Sequence, residues 1–271
     1  MTIDYDSANV SSPAVYELGE LWRYRDLLRM LVSNSIKTRY KRSALGVVWT
    51  VLNPLLNTLV LTIAFSQLLR FNVKNYAVYL LTGLLVWNFF SQTTTQAMNM
   101  LVWGSGLIKR IYIPRTIFAI SVLGNGLVNF SLSLIPLALI MLVMGQNFSW
   151  TLLLIPFALF LLALFTLGVT LVISTLAVFF VDVIDMYGIL LSVWFYITPI
   201  IYPIEIVPAK FAFFLRLNPM YYMVNIFRSL IFDGVLPPPE FWMISTVLAL
   251  STLLLGWWVF TKKSDEFAYR I

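Results

Sequence analysis

Apolar residues fall in six long blocks along this chain, at residues 45–69, 76–98, 117–144, 152–180, 184–202 and 241–260. A helix needs roughly 20 mostly apolar residues to cross a hydrocarbon core, so the pattern predicts six spans. A different pattern precedes them. Leu21, Tyr24, Leu28, Leu31 and Ile36 recur at helical spacing, while Glu17, Glu20, Arg23, Asp26 and Arg29 fall largely on other faces. Residues 17–36 therefore predict an amphipathic helix too charged to span. It suits the plane of the membrane surface, and equally a helix lying on a cytoplasmic partner.

Residues 204–236, between the fifth and sixth blocks, break into two pieces. Pro208 and Pro219 each stand where a helix can begin, and Asn218 before Pro219 is an N-cap followed by a first-turn proline. Gly234 is placed to end the second piece. Each piece is too short to span yet apolar enough to enter the membrane, which favours a re-entrant pair over an outer loop with two surface helices. Pro237-Pro238-Pro239 then stiffens the approach to the last span.

Composition makes the bilayer the solvent. Of 271 residues 60% are apolar and 11% charged, with a mean hydropathy of +0.87, beyond what one aqueous core can hide. The net charge of +6 does not point to nucleic acid, because the cations cluster beside apolar blocks, where orientation and anionic headgroups account for them. With the N-terminus in the cytoplasm, thirteen of the eighteen Lys and Arg fall in inside loops and five outside, which predicts both termini inside. Residues 1–16 are polar, contain Asp4 and Asp6, and lack the apolar stretch of a cleavable signal.

Candidate chemistry is sparse. Cysteine and histidine are absent, which removes disulfides, thiolate nucleophiles, imidazole bases and most zinc sites. No Gly-x-x-x-x-Gly-Lys-[Ser/Thr] loop occurs, so this chain does not hydrolyse ATP in that way, and neither a catalytic nor a metal site is expected. Asp182 and Asp185 could share a helical face as an acid/base or metal pair, but a solvated cap at a short turn fits them better. No ionisable residue lies deep in a span, which argues against an ion-coupled carrier. The rings of Trp87, Phe89, Trp194, Phe195, Tyr196 and Tyr202 are denser than an interfacial belt requires, and aromatic faces stack on sugar rings, so they are candidate conduit walls. The polar run Gln92-Thr93-Thr94-Thr95-Gln96, with Asn99, reads either as helix–helix glue or as pathway lining. Arg39, Lys41 and Arg42 set the topology of the first span and could also receive an anionic headgroup. The short basic loop 104–115 is explained by topology alone on charge grounds.

The motifs resemble one family. Arg39, Tyr40, Ser43, Leu45, Gly46, Trp49, Asn53 and Pro54 are similar to the first-span entry of the membrane-spanning permeases of polysaccharide-exporting ABC transporters, the ABC-2 group that exports O-antigens and teichoic acids. Lys109, Arg110, Pro114 and Arg115 resemble its basic loop. Asp182, Pro199, Ile200, Tyr202 and Pro203 resemble its fifth span, Asn218, Pro219 and Arg228 its outer segment, and Phe267, Ala268 and Arg270 its C-terminal end. One departure is Val181, where the family usually has Arg.

The resemblance implies an all-α polytopic protein forming a single membrane domain over 1–271. Residues 1–44 would be tail and interface helix, 45–203 spans one to five, 204–236 an outer gate, and 237–271 the last span and tail. It implies a homodimer in the bacterial inner membrane that exports a glycan carried on a lipid diphosphate through a channel between the two copies. Two separate ATP-binding subunits would hold ATP and Mg, contacting Leu107, Ile108, Lys109, Arg110, Ile111, Tyr112, Pro114 and Arg115. Pro208, Asn218, Pro219 and Arg228 would belong to the gate. Teichoic acid, capsule, lipid or drug export and a membrane-embedded glycan-assembly enzyme are the alternatives.

Overall fold

The computed structural model describes residues 19–40, 46, 48–68, 74–104, 114–263 and 266–267. Every regular element among them is helical. After a helical turn at 19–23, α1 runs Arg25–Tyr40, carrying the polar and apolar faces the spacing predicts. It lies against α4, with Val32 beside Gly124, while Trp22 and Met30 stay exposed. The six apolar blocks become α2 (Val48–Thr62, continued by a π-helical turn Ile63–Leu68), α3 (Tyr76–Trp103), α4 (Thr116–Val143), α5 (Ile155–Phe179, led by a 3-10 turn Trp150–Leu154), α6 (Val183–Ile197) and α9 (Pro239–Lys263). Between α6 and α9 lie the short α7 (Ala212–Leu217) and α8 (Pro219–Arg228), the latter running into a π-helical turn, Ser229–Asp233.

By length and composition, α4, α5 with its leading turn, and α9 can each cross a membrane; α2 and α6 contain shorter apolar helices. At 28 residues α3 is long enough, but Asn88, Ser91, Gln92, Gln96 and Asn99 and four threonines dilute its apolar character. With its long apolar helices, this is a multi-pass membrane protein.

The fifth block was expected to run to residue 202, yet α6 stops at Ile197. Pro199 brings no N–H and disfavours helical geometry in the residue before it, and Thr198 is accordingly extended. The 15-residue helix is therefore roughly 22 Å long, shorter than a hydrocarbon core. Its face bearing Met186, Ile189, Leu190, Val193 and Ile197 is exposed, which costs nothing against lipid tails.

Helix α3 is the hub, packed against α2, α4, α5, α6 and α8, and its first twelve residues are all buried. The closest helix pairing is α5 with α9. Gly168 and Gly256 sit backbone to backbone there, and a Cβ on either would overlap the other helix. At the end of the molecule where α5 and α9 finish and α4 begins, Phe267 is buried between Phe179 and Phe260, and the Arg115 guanidinium lies 5.3 Å from its ring centre. Two segments 152 residues apart (267 − 115) thus touch.

Gly168→Leu should force α5 and α9 apart, an overpacking that costs about 1–3 kcal/mol or more. The thermal unfolding midpoint of the detergent-purified protein should fall. An unchanged midpoint would contradict the backbone contact.

Candidate functional site

A groove of about 590 Å³ runs between α2, α3 and α4. Along α3 it extends from Leu81 to Gln96, a rise of roughly 22 Å at helical pitch. Its walls carry carboxamides at helical spacing: Asn53 and Asn57 on α2, Asn88, Gln92 and Gln96 on α3, and Asn129 on α4, with Ser133 one turn further. Trp49, Phe89 and Phe130 supply rings. No charged side chain lines it among the described residues.

The α3 stripe is the informative part. Asn88, Gln92 and Gln96 recur every fourth residue, so they share one face, and they are the exposed positions of a helix buried almost everywhere else along its first 23 residues. None of the three amides is hydrogen-bonded to protein among the described residues. An amide carries two donors and an acceptor, and leaving them unpaired in hydrocarbon is costly. This stripe therefore faces water, a polar ligand or another protein surface. On α2 the arrangement is different: Asn57 donates to the Asn53 carbonyl at 3.0 Å and to its side-chain oxygen at 2.5 Å.

The polar run on α3 divides between the two roles the sequence left open. Gln92, Thr93 and Gln96 line the groove. Thr94 is helix–helix glue, accepting from the Tyr187 hydroxyl of α6 at 2.8 Å while donating to the Phe90 carbonyl.

A second polar arrangement holds the backbone beyond α6. Arg228, 4% exposed at the end of α8, donates to the Pro199 carbonyl at 2.5 Å and the Ile200 carbonyl at 2.7 Å. Tyr76 and Tyr79 of α3 donate to the next two carbonyls, Ile201 at 2.6 Å and Tyr202 at 3.1 Å. Four successive carbonyls outside any helix are thus satisfied by three side chains. The guanidinium also lies 3.7 Å from the Tyr79 ring centre, a cation–π contact in a desolvated site. Gly83 makes the space: a Cβ there would stand 3.0 Å from the Arg228 Nη2 and 3.2 Å from Ile200.

Asn218 ties the same region to α6. Its side-chain oxygen caps α8 by accepting from the Met220 N–H at 3.0 Å and also accepts from the Trp194 indole at 2.7 Å. Its amide donates to Thr198 at 2.9 Å. The far end of the segment is fastened in the same manner. Thr151, Gln146 and Ser149, before or at the start of the turn into α5, donate to the carbonyls of Leu230, Phe232 and Gly234. Gly234 closes the segment in the left-handed region, at φ 68°, which a glycine adopts without strain. Burial raises the Asp233 carboxyl above its ordinary range, opposed by the charge of Arg228.

Asn218 as N-cap, Pro219 in the first turn and Gly234 as terminator stand where the sequence placed them. The aromatic candidates are redistributed. Trp87 is 6% exposed, packed on Phe90, Trp194 and Phe195, so it is a core ring and does not line the groove. Trp194 is engaged by Asn218 and Phe90, again away from it. Phe89 does line it, edge-on to Phe130. Tyr196 is 69% exposed, and the Tyr202 hydroxyl donates to the carbonyls of Tyr196 and Ile197. Asn57, Asn88, Asn129, Phe130 and Ser133 were not picked out by sequence; the recoverable signal was amides every fourth residue in apolar blocks.

Pro208 is exposed, just before the 3-10 turn that leads into α7. Asp182 and Asp185 are exposed too, and no group of three His, Cys, Asp or Glu placed to hold a metal occurs among the described residues. Lys41, Arg42 and Leu107–Tyr112, with the Arg39 side chain, lie outside the described residues. Pro114 and Arg115 are half-buried at the entry of α4.

Arg228→Lys keeps the charge but loses the planar fork that serves two carbonyls. Leaving one buried carbonyl unpaired costs about 1–3 kcal/mol. Unfolding of the purified protein should shift by that amount, and a wild-type curve would show that the carbonyls do not depend on Arg228.

Residues 26–232 match the family model described as the ABC-2 type transporter. The chain is 32% identical to an O-antigen export system permease protein RfbA of Myxococcus xanthus, over 93% of this chain and 98% of the relative. A Klebsiella pneumoniae protein of the same name is also 32% identical, over 93% and 96%. The polysialic acid transport protein KpsM of Escherichia coli is 24% identical over 83% and 89%. A match across most of the fold, with permeases aligned almost end to end, makes this chain a member of the ABC-2 type transporter family, as a membrane subunit.

Proposed function

We propose that this permease exports a polysaccharide, and that the groove between α2, α3 and α4 forms part of the wall along which the glycan moves. The observation that carries the reading is the stripe Asn88–Gln92–Gln96, unpartnered and exposed near the middle of a helix whose other faces are buried. Hydroxyl-rich chains both donate and accept hydrogen bonds, as carboxamides do, and each such bond is worth only about 0.5–1.5 kcal/mol net, so contacts can be made and released. Trp49, Phe89 and Phe130 add ring edges and faces to the same wall. The names of the relatives, O-antigen export and polysialic acid transport, agree with that cargo.

In this reading α2, α3, α4, α5, α6 and α9 are six spans of one domain. Two copies form the channel in the bacterial inner membrane, with both termini cytoplasmic, as the cation bias supports. Family membership implies an ATP-binding subunit. It would hold ATP and Mg and bear on loop 104–115, whose exit Arg115 packs on Phe267. The segment 204–236 acts as a re-entrant gate, and its internally satisfied backbone is what a non-helical stretch at membrane depth requires. Arg39, Lys41 and Arg42 receive the diphosphate of a lipid-linked glycan. In the chain they come just before Gly46 and Trp49, which line the groove.

Deleting the gene should remove a surface polysaccharide and leave lipid-linked glycan inside the cell, detected by glycan labelling of intact and lysed cells. Restoring the wild-type chain should reverse this. Gln92→Trp, which fills the groove, should restore less than about a tenth of the surface signal at equal membrane level, the scale of losing one to two net hydrogen bonds and their space. Unaltered surface and internal glycan on deletion would overturn the reading.

A further inference from the structure

We infer that the glycan segment carried along this groove is uncharged, a neutral hydroxyl-rich chain rather than a polyanion. This rests on the export reading above and adds the charge class of the cargo. The groove is built from six carboxamides, one serine, one threonine and three aromatic rings, and the rest of its lining is apolar or glycine. All of these polar groups are neutral. Amides can match a hydroxyl in either direction, but they cannot neutralise a carboxylate or a phosphodiester.

Position sharpens the point. Asn88, Gln92 and Gln96 occupy the middle of the 28-residue α3, and Asn129 and Ser133 the middle of the 28-residue α4. A charge at such depth needs a counter-charge or water, and the described lining supplies no counter-charge. A polyanionic glycan would make that demand at every repeat. The nearest buried cation of the outer segment, Arg228, offers no relief. Its Nη1 and Nη2 are committed to the carbonyls of Pro199 and Ile200, and its face is covered by Tyr79. The neutral lining thus selects by omission: hydroxyls find partners along this wall, and an anion meets no cation among its described residues.

Two measurements test this. The lipid-linked glycan that accumulates in the deletion strain should be purified and assayed for uronic acid, sialic acid and phosphate within its repeats. Neutral repeats are expected. Charged repeats would overturn the charge inference while leaving export intact, whereas no accumulated glycan would overturn the export reading itself. The second measurement puts charge into the stripe. Gln92→Glu and Gln92→Lys should each lower surface glycan by about tenfold at equal membrane level, because either sign meets a neutral chain with an unpaired charge. Opposite responses, with Lys raising and Glu lowering export, would show an anionic cargo. Wild-type export by both would show that the chain does not pass this wall. The composition assay needs no variant, so misfolding of the charged proteins leaves the test standing.

Discussion

Hydrocarbon offers no hydrogen bonds, and the rest of this structure depends on how that constraint is met. Inside a helix the backbone satisfies itself. Where Pro199 ends α6, four consecutive carbonyls lose that provision, and Arg228, Tyr76 and Tyr79 replace it. Burying a guanidinium is expensive, and two short bonds with an aromatic face offset the cost. The outer segment is fastened at its other end by Thr151, Gln146 and Ser149 through the same device. An irregular stretch of chain is held by side chains from α3, α8 and the turn into α5, so its position is coupled to the central helices.

The same constraint, met in the opposite way, makes the groove informative. Helix α3 is packed by five neighbours, and along its first 23 residues only the amide stripe is exposed. Polar groups inside the membrane can serve as glue, as Thr94 does for Tyr187. Asn88, Gln92 and Gln96 have no such partner, so they face water, a polar ligand or another protein surface. The two polar systems divide the labour. One holds the backbone carbonyls beyond α6 and fixes the fold, while the α3 stripe is unpartnered and open to a ligand.

Much of this was legible in order along the chain. The six apolar blocks become six helices, because side-chain periodicity and segment length are local properties. The N-cap Asn218 and the terminator Gly234 were legible for the same reason, since a cap is settled within one turn. The end of α6 was missed because apolar content continues through residue 202 while Pro199 quietly removes a donor. Trp87 and Trp194 were read as path walls on density alone, and density does not say which way a ring points. Trp87 is buried and Trp194 half-buried because α6 packs on α3, with both rings against Phe90 and Trp87 also against Phe195.

By itself, then, the sequence determined the solvent, the helical blocks, the caps and the family. Composition, period and motif order are carried by neighbouring residues and need no long-range contact. Only the tertiary structure decided which polar groups are spent and which are free. Thr93 and Thr94 look alike in sequence, yet Thr94 accepts from Tyr187 of α6 while Thr93 lines the groove, because hydrogen-bond supply is set by whichever helix packs alongside.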